Sequence, residues 1–451
     1  MDTRIEQVTA RAVWDSRARP TVEAEVRLAD GSIGRAIAPA GASVGSGEAL
    51  DLRDGGAILG GFGVERALDN IRREVDQRVR GRDAVDQRAI DRDLIELDGT
   101  AQKSRIGGNA IVAVSMAVLQ AAAAASRLPL YAYLAGDRRV SIPLPQIQIF
   151  GGGAHAGRRV DIQDFLVLCP NAGNLSEALK RTAEVYYAAG RLLSDAGRLR
   201  GIADEGGWWP AFSTNEEVLD TLVRAIEAAR LVPGDDVFIA LDVAASEFRN
   251  ASGRYVFGLE RREFDSDGFG ELLQRWIERY PILSIEDPFA EDDRDGFRTF
   301  TDAVRDRVQV VGDDLLVTSA ERVREAADNR LATCVLIKPN QAGTVSETLD
   351  ALEAARQGGL AAIISARSGE SEDVTIAHLA TGWNTGQLKV GSIARGERTA
   401  KWNELLRIEE ALAGKADFAG WTGLHLAPRA VAEQRERSRP ADAEQIGLSR
   451  G

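Results

Sequence analysis

The chain has 451 residues, 44% hydrophobic and 28% charged, and its formal net charge is −13. This length and composition allow a large buried core and predict two domains. The acidic balance argues against nucleic acid or an anionic membrane as the main partner. If the substrate is an anion, lysine, arginine or metal ions at the site must hold it.

The cellular setting is indicated by two cysteines and one long apolar run. Cys169 and Cys334 lie singly in apolar runs and form no C-x-x-C pair, which favours buried thiols in a reducing compartment. No signal peptide is evident before the first structured segment. The Ala-rich run "AIVAVSMAVLQAAAAA" is near the lower length limit for a membrane span, so a buried helix is expected. We therefore expect a cytoplasmic protein.

The first part of the chain, to about residue 135, mixes strands and helices. Three stretches rich in β-favouring residues, "RIEQVTARAVWDS", "TVEAEVRLAD" and "SIGRAIAPA", predict an antiparallel sheet with a hairpin turn at "ADGS". Helical periodicity follows at about 63–80, 84–97 and 107–126. The loop "APAGASVGSGEA" is rich in Gly and Ser, which predicts mobility.

From about residue 141, short apolar runs end in polar clusters and are each followed by a helical pattern. The runs are "VFIALD", "ILSIEDP", "VQVVGDD", "CVLIKPN", "AAIISARS" and "GQLKVG". The key residues at their ends are Asp242, Glu286, Asp313, Lys338, Ala366 and Lys389. The last five of these lie 23 to 28 residues apart, about one strand-plus-helix unit each, which predicts a closed parallel barrel. The polar, unpatterned tail after residue 428 predicts disorder.

Three carboxylates follow buried strands and should converge at the barrel mouth. Asp242, Glu286 and Asp313 would repel one another strongly unless a divalent cation lay among them. Hard oxygen ligands suit Mg²⁺. The alternative is that each is a solvated loop acid or a helix cap.

Two lysines, a glutamate and a histidine could carry out proton transfer beside these acids. Lys338 and Lys389 end later strands, and a lysine beside another ammonium and a metal has its pKa lowered, so it can act as a base. Alternatively, the lysines only neutralise the acidic site. Glu205, in "ADEGG", could act as the facing acid, and His155 lies in the glycine-rich "FGGGAHAG".

These residue types together indicate a reaction class. A metal with a lysine base suggests removal of a proton next to a carboxylate, with the metal stabilising the developing charge. An acid across the site would then assist a leaving group, which makes the reaction a β-elimination. Arg367 and Ser368 could hold a phosphate through charge-assisted hydrogen bonds.

The chain resembles enolase over about residues 3 to 420, through motifs that occur in the same order and with nearly matching spacing. The motifs are "DSRARPTVE", "GASVG", "LDGTAQKSRIGGNAI", "GGAHAG", "DEGG", "LDVAASEF", "SIEDPFAEDD", "GDDLLVT", "LIKPNQAGT", "RSGESED" and "GQLKVGSIARGER". The resemblance implies an α/β fold, an enolase-type (β/α)8 barrel with irregular first units, preceded by an α+β N-terminal capping domain. We predict the cap at 1–138, the barrel at 139–428 and a disordered tail at 429–451.

The resemblance also implies roles for individual residues. The positions that match the family's Mg²⁺ ligands are Asp242, Glu286 and Asp313, with Ser43 for a second ion that binds with the substrate. The positions that match its proton-transfer residues are Lys338 as the base and Glu205 as the acid, with Asp164 and His155 beside the acid. The positions that match its substrate-binding residues are Lys389 for the carboxylate and Arg367 with Ser368 for the phosphate. A homodimer or higher homo-oligomer is implied, with a small phosphorylated or phosphonylated carboxylate as substrate.

Several positions depart from the family pattern, and the sequence suggests that they cluster near the phosphate and leaving-group end. Ala366 replaces a histidine, and Asp164 replaces a glutamate. The other departures are Val44 for threonine, Gly47 for histidine or arginine, Gly151 for asparagine, Ala154 for serine, and Trp208 and Trp209 for smaller residues. We interpret Ala366, Trp208 and Trp209 as substrate-contacting positions: Ala366 makes room at this end, and the two tryptophans add aromatic surface that could stack on a second substrate.

Three functions are compatible with this pattern. The departures favour a specialised enolase relative that forms or uses an enolate or enolpyruvate, such as carboxyphosphonoenolpyruvate synthase of phosphonate and phosphinate natural-product biosynthesis. The first alternative is an ordinary phosphopyruvate hydratase of glycolysis, acting on 2-phosphoglycerate. The second is a catalytically weak binding or scaffold protein, against which the retained metal ligands and lysines argue.

Overall fold

A computed structural model describes residues 2–41 and 45–426. Its first part is a three-stranded antiparallel sheet, ordered β1-β2-β3, that packs against one long helix. The strands are β1 (Ile5–Trp14), β2 (Pro20–Leu28) and β3 (Ile33–Ile37). The helices are α1 (Glu65–Asn70), α2 (Asp76–Val79), α3 (Gln87–Asp98), α4 (Gly108–Ala125) and α5 (Leu130–Ala135). Single 3-10 and π-helical turns lie at Ile58–Gly61 and Ile71–Val75.

The long helix α4 is apolar enough in composition to cross a bilayer, but 89% of its residues are buried inside the protein. It covers β2 and β3. The helix approaches β3 so closely at Gly34 that a Cβ there would lie 2.1 Å from the Ala117 carbonyl oxygen, so only glycine leaves room. The prediction of a buried core helix for this run therefore agrees with the structure. Both cysteines are buried and free, and burial raises the pKa of Cys169 to about 12.

The described residues from 141 to 426 contain a closed eight-stranded barrel. The barrel strands are β5 (Leu144–Gly151), β6 (Asp164–Leu168), β9 (Phe238–Asp242), β12 (Ile282–Glu286), β13 (Gln309–Gly312), β14 (Cys334–Ile337), β15 (Ala361–Ser365) and β16 (Gly386–Gly391), and β16 pairs with β5 to close it. The short additional strands are β4 (Ser141–Ile142), β7 (Leu199–Ile202), β8 (Trp208–Pro210), β10 (Tyr255–Phe257), β11 (Arg262–Phe264) and β17 (Asp417–Phe418). Because β6 runs antiparallel to both β5 and β9, the first units are irregular, as the resemblance implied.

Helices surround the barrel, and most begin at a side-chain cap. They are α6 (Leu175–Asp195), α7 (Asn215–Ala228), α8 (Ser266–Arg279), α9 (Arg294–Val304), α10 (Ala320–Asp328), α11 (Pro339–Ala342), α12 (Val345–Gln357), α13 (Thr375–Gly382), α14 (Gly396–Leu412) and α15 (Gly420–Leu424). Capping side chains accept backbone N–H groups at the start of six of them, from Asn174, Thr214, Asp265, Asp293, Ser319 and Thr344. Such caps satisfy N–H groups that a helix leaves unpaired.

The interior of the barrel contains a polar layer above an apolar plug. Gln146 donates to Gln387, which in turn donates to Gln309, with distances of 2.9 and 2.8 Å. Gln309 also donates to Ser284 Oγ at 3.0 Å. Below this layer, Leu424 packs among leucines and Phe238 from the strands and fills the bottom of the barrel.

The predicted α/β fold, with an α+β cap before an enolase-type barrel, is confirmed. The three N-terminal strands, the "ADGS" turn and the six later barrel strands lie where the sequence predicts them. The expected mobility of the "GASVG" loop falls partly on residues 42–44, and the expected disorder of the tail on 427–451, which lie outside the described residues.

Candidate active site

The predicted acids and lysines meet at one end of the barrel because strand register aligns them. Asp242 is paired in register with Glu286 on β12 and with Asp164 on β6. Ser365 on β15 pairs with Lys389 on β16. Each of these side chains is at least 90% buried, so the site is a closed and charged chamber.

The carboxylates and ammonium groups pair directly with one another. Lys389 Nζ lies 2.7 Å from both Asp242 Oδ2 and Glu286 Oε2, and Lys338 Nζ contacts Asp313 Oδ2. Burial raises the pKa of Glu286 well above its usual value, and the neighbouring Asp242 adds to the effect. Burial also opposes ionisation of Asp242, but Lys389 outweighs it and lowers the pKa of that carboxyl group.

The pKa of Lys338 differs in direction from the expectation based on the sequence. Burial disfavours the Lys338 ammonium, but the adjacent Asp313 carboxylate outweighs burial and raises the pKa of Lys338. We expected a lowered pKa because a second ammonium and a metal were assumed to dominate. In the structure the closest charged partner of Lys338 is instead a carboxylate. Lys338 must therefore lose both that ion pair and its own proton before it can accept another proton.

The donor set fits a hard divalent cation. Glu286 Oε1 is buried and has no hydrogen-bond partner among the described residues. Asp242 and Asp313 also present oxygen atoms, which are the ligands that Mg²⁺ prefers, and their partners in the structure include the side chains of Lys389 for Asp242 and of Lys338 and Gln341 for Asp313. An unpaired buried carboxylate oxygen is costly unless a cation or donor satisfies it. Asp242, Glu286 and Asp313 therefore remain the residues that would hold Mg²⁺.

A second acidic group lies beside these residues. Carboxylate oxygens of Asp287, Asp313 and Asp314 lie within 4.8 Å of one another. Asp287 accepts the backbone N–H groups of Asp313 and Asp314 at 2.9 and 2.8 Å. Since both Asp287 oxygens are engaged by backbone donors, we assign this side chain to fixing the turn that presents Asp313, rather than to binding a cation.

The predicted acid site is also assembled. His155 Nδ1 lies 3.0 Å from Asp164 Oδ1, and His155 Nε2 lies 3.9 Å from Glu205 Oε1. Burial disfavours the imidazolium, but the Asp164 and Glu205 carboxylates outweigh it and raise the pKa of His155 to about 9. Burial raises the pKa of Glu205. A histidine between two buried carboxylates, one of them with a raised pKa, can store a proton near the substrate.

Arg367, the residue predicted to bind phosphate, forms an ion pair with Glu48 in the structure. Arg367 Nη1 lies 2.8 Å from Glu48 Oε2 and 3.3 Å from Asn340 Oδ1. Burial opposes the guanidinium charge, but Glu48 outweighs it and keeps the pKa of Arg367 raised. The Ser368 carbonyl oxygen accepts from Arg398 and from Ser16 Oγ, which fixes the backbone beside Arg367.

Local packing accounts for three of the departures. Gly47 has φ +102°, a backbone conformation that favours glycine. A Cβ at this position would also lie 2.7 Å from Arg322 Nη2. A Cβ at Gly151 would lie 2.4 Å from the Cβ of Ala203. Trp208 stacks on Tyr186 at 4.6 Å and donates its indole N–H to the Tyr186 carbonyl oxygen.

These contacts correct part of the interpretation of the departures as a widened end for a second substrate. Trp208 packs on α6 through Tyr186, so its predicted stacking on a substrate is not supported. Trp209 packs on the turn that carries His155. Its ring lies so close to Gly157 that a Cβ added there would be 3.0 Å from it. Ala366 is buried in the main core, with its N–H bonded to the Lys389 carbonyl oxygen, and no contact explains the alanine. Ser43 and Val44 lie outside the described residues.

Gln148 and Glu48 are among the residues at the site that were not singled out from the sequence. Gln148 contacts Asp164, and Glu48 pairs with Arg367. Gln148 could have been noticed as one of two glutamines, with Gln146, in the strand "LPQIQIFG", whose other residues are apolar. Glu48 gave no such signal, because it is 319 positions away from Arg367 in the chain.

Comparisons with known proteins agree with this geometry. Residues 5–134 match the family model described as "Enolase, N-terminal domain", and residues 139–426 match "Enolase, C-terminal TIM barrel domain". The chain is 47% identical over 417 residues to the protein named "Enolase 1" of Desulfitobacterium hafniense (strain Y51). The aligned region covers 92% of this chain and 95% of that relative.

Proposed function

Because this chain belongs to the enolase family, we propose that it acts as a phosphopyruvate hydratase, converting 2-phosphoglycerate to phosphoenolpyruvate and water. Membership makes it an enzyme, a lyase of the enolase superfamily with a small phosphorylated carboxylate as substrate. The observation that carries the specific proposal is the joint burial of Lys338, Glu205 and His155 at one end of the barrel, around the three carboxylates.

The proposed reaction assigns a proton transfer to each side of the chamber. Lys338 Nζ, once released from Asp313 and deprotonated to the free amine, takes the proton from C2 of the substrate, and the electron pair of that C–H bond forms the new C=C bond. The hydroxyl group on C3 leaves as water after it receives a proton from Glu205. Enolases generally use Mg²⁺, which would stabilise the negative charge on the substrate carboxylate.

The substrate's two anionic groups would be held by different cations. We assign the carboxylate to Lys389 and the phosphate to Arg367, as the family pattern implies. Glu48 occupies the Arg367 guanidinium in the structure, so phosphate must compete with this ion pair. We further infer one Mg²⁺ site at Asp242, Glu286 and Asp313, and a second that forms with substrate and Ser43.

The specialised reading receives less support than this one. The comparisons give no support to a carboxyphosphonoenolpyruvate synthase-like activity or to phosphonate biosynthesis. The relative's name, Enolase 1, favours the ordinary hydratase. The packing reasons for Gly47, Gly151 and Trp208 remove much of the earlier basis for a widened phosphate end. Ala366 remains a departure that no contact explains.

The proposed setting of the enzyme is a cytoplasmic homo-oligomer. Two buried free thiols are consistent with a reducing compartment. Trp14 and Tyr187, which are 61% and 60% exposed, are large side chains that a partner subunit could cover. Light scattering coupled to size-exclusion chromatography measures the mass directly, and a monomer at micromolar concentration would contradict the oligomer.

One assay tests the proposed reaction. The purified protein is incubated with Mg²⁺ and 2-phosphoglycerate, while phosphoenolpyruvate formation and exchange of the C2 proton with D₂O are followed together. Rapid phosphoenolpyruvate formation supports the hydratase. Proton exchange without dehydration would contradict it and favour a specialised half-reaction. Neither activity, with Mg²⁺ shown to bind by calorimetry, would point to a binding or scaffold protein.

A further inference from the structure

Gln148 is a fully buried residue on β5 that joins two parts of the acid site. Its side-chain NH₂ group donates to Asp164 Oδ1, the same oxygen that lies 3.0 Å from His155 Nδ1. Its side-chain oxygen accepts the backbone N–H of Gly207 at 2.7 Å. One amide therefore connects the carboxylate that orients His155 to the turn that carries Glu205.

The two partners fix which way this amide points. A carboxylate can only accept a hydrogen bond and a backbone N–H can only donate one. Turning the Gln148 amide over would place its oxygen against Asp164 and its NH₂ group against the Gly207 N–H, so both contacts would be lost. Because the side chain is buried, water cannot replace either contact. Gln148 thus has a single favourable orientation.

The other end of the connection is a tight turn built on close approach. The Gly207 carbonyl oxygen accepts the N–H of Ala203 at 2.8 Å, which closes the turn around Glu205. A Cβ at Gly207 would lie 2.5 Å from Gln148 Oε1, so the short contact requires glycine there. The Glu205 carbonyl oxygen in turn accepts the N–H of Ser392 at 2.8 Å. Of the side chains described, only Gln148 hydrogen-bonds to both the backbone of this turn and Asp164; the His155 side chain reaches Asp164 and, at 3.9 Å, the Glu205 carboxylate.

We propose that Gln148 is a positioning residue that holds the Asp164 carboxylate and the Glu205 turn in one fixed arrangement. It touches neither the base Lys338 nor the metal-binding carboxylates through any hydrogen bond in the described structure. Its influence therefore falls on the proton that is given to the leaving hydroxyl group, not on the proton taken from C2. The kinetic part of this inference rests on the proposed hydratase function.

The test compares Gln148→Met with a matched control, Gln146→Met. Both glutamines are buried on β5 and bonded through their amides, but Gln146 belongs to the interior layer with Gln387. In Gln148→Met we expect dehydration of 2-phosphoglycerate to slow roughly 10- to 100-fold, because misplacing a catalytic group by about 1 Å costs about that much. Exchange of the C2 proton should stay near the wild-type rate. Gln146→Met should leave the ratio of dehydration to exchange unchanged.

Hydrogen–deuterium exchange of the substrate-free protein gives a second readout. The Gly207 amide should exchange faster in Gln148→Met, and not in Gln146→Met, because only the first loses its acceptor. Equal ratios of dehydration to exchange in the two variants would overturn the proposal, and so would unchanged protection of Gly207. If the wild-type chain does not convert 2-phosphoglycerate, the hydratase assignment fails, whereas the Gly207 measurement still decides whether Gln148 holds the turn.

Discussion

Lys389→Met should lower the free energy of unfolding, and bound Mg²⁺ should restore part of that lost stability. The Lys389 ammonium lies 2.7 Å from both Asp242 and Glu286, and all three side chains are at least 94% buried. Breaking a buried ion pair by removing one partner typically costs about 3–5 kcal/mol, because the other charge is left uncompensated. Here two carboxylates lose their shared cation. We therefore expect the free energy of unfolding without divalent cations to fall by about 3–5 kcal/mol.

A bound Mg²⁺ ion should compensate the same two carboxylates. At 100 times its dissociation constant, a ligand that binds only the folded state stabilises it by about 2.7 kcal/mol. In the wild-type chain Lys389 competes with the cation for Asp242 and Glu286, so Mg²⁺ should stabilise Lys389→Met more than it stabilises the wild type. Chemical denaturation at pH 8, with EDTA and with Mg²⁺, measures both free energies.

A second buried lysine provides the control. Lys401 lies 2.9 Å from Glu370 Oε2 and donates to the Ser371 carbonyl oxygen at 2.6 Å, away from the metal-binding carboxylates. Lys401→Met should lose a similar free energy of unfolding, but its response to Mg²⁺ should equal that of the wild type. If Mg²⁺ stabilises Lys389→Met no more than Lys401→Met, the assignment of the cation site to Asp242 and Glu286 is refuted.

Three further predictions concern the proton-transfer groups and the missing imidazole. Lys338→Ala should abolish C2 proton exchange, whereas Glu205→Gln should keep exchange and slow dehydration about 10²- to 10⁴-fold; equal loss of both activities in the two variants would contradict the assigned roles. Ala366→His should lower the KM for 2-phosphoglycerate roughly tenfold by adding a charged hydrogen bond to phosphate; an unchanged KM would show that position 366 does not face the phosphate. Because the pKa of His155 is raised from 6.5 to about 9, its stabilising contribution is complete below about pH 6.5 and is lost as the pH rises through about 9. The wild type should lose about 3 kcal/mol of unfolding free energy across this window, and His155→Gln should lack that pH dependence; equal slopes would refute it.

The meeting of these carboxylates and lysines at one end of the barrel could be predicted because it follows from strand patterns; their role in binding Mg²⁺ stays a prediction. Asp242, Glu286, Asp313, Lys338 and Lys389 each end an apolar run or follow it directly, and parallel strands of a barrel bring such ends to one mouth. No detailed side-chain geometry is needed for that step. Closure of β16 onto β5 then fixes which strands face each other.

Other features could not be predicted because they depend on contacts between distant segments. Trp208 faces Tyr186 rather than the chamber because the β7–β8 hairpin lies against α6, which no local pattern in "DEGGWWP" indicates. The pairing of Glu48 with Arg367 joins the two domains. The raised pKa of Lys338 required knowledge of its contact with Asp313.

The glutamine layer inside the barrel has a consequence for how the chain selects its fold. The amides of Gln309 and Gln387 both donate and accept, and Gln146 donates to Gln387, so the layer is satisfied only when β5, β13 and β16 stand at matching heights. Sliding one strand by two residues would keep its side chains pointing inward but place an amide among leucines, where its hydrogen bonds would be unmade. An all-apolar interior would tolerate such slips more readily. The layer therefore favours a single alignment of these three strands over alignments that hydrophobic burial alone would allow.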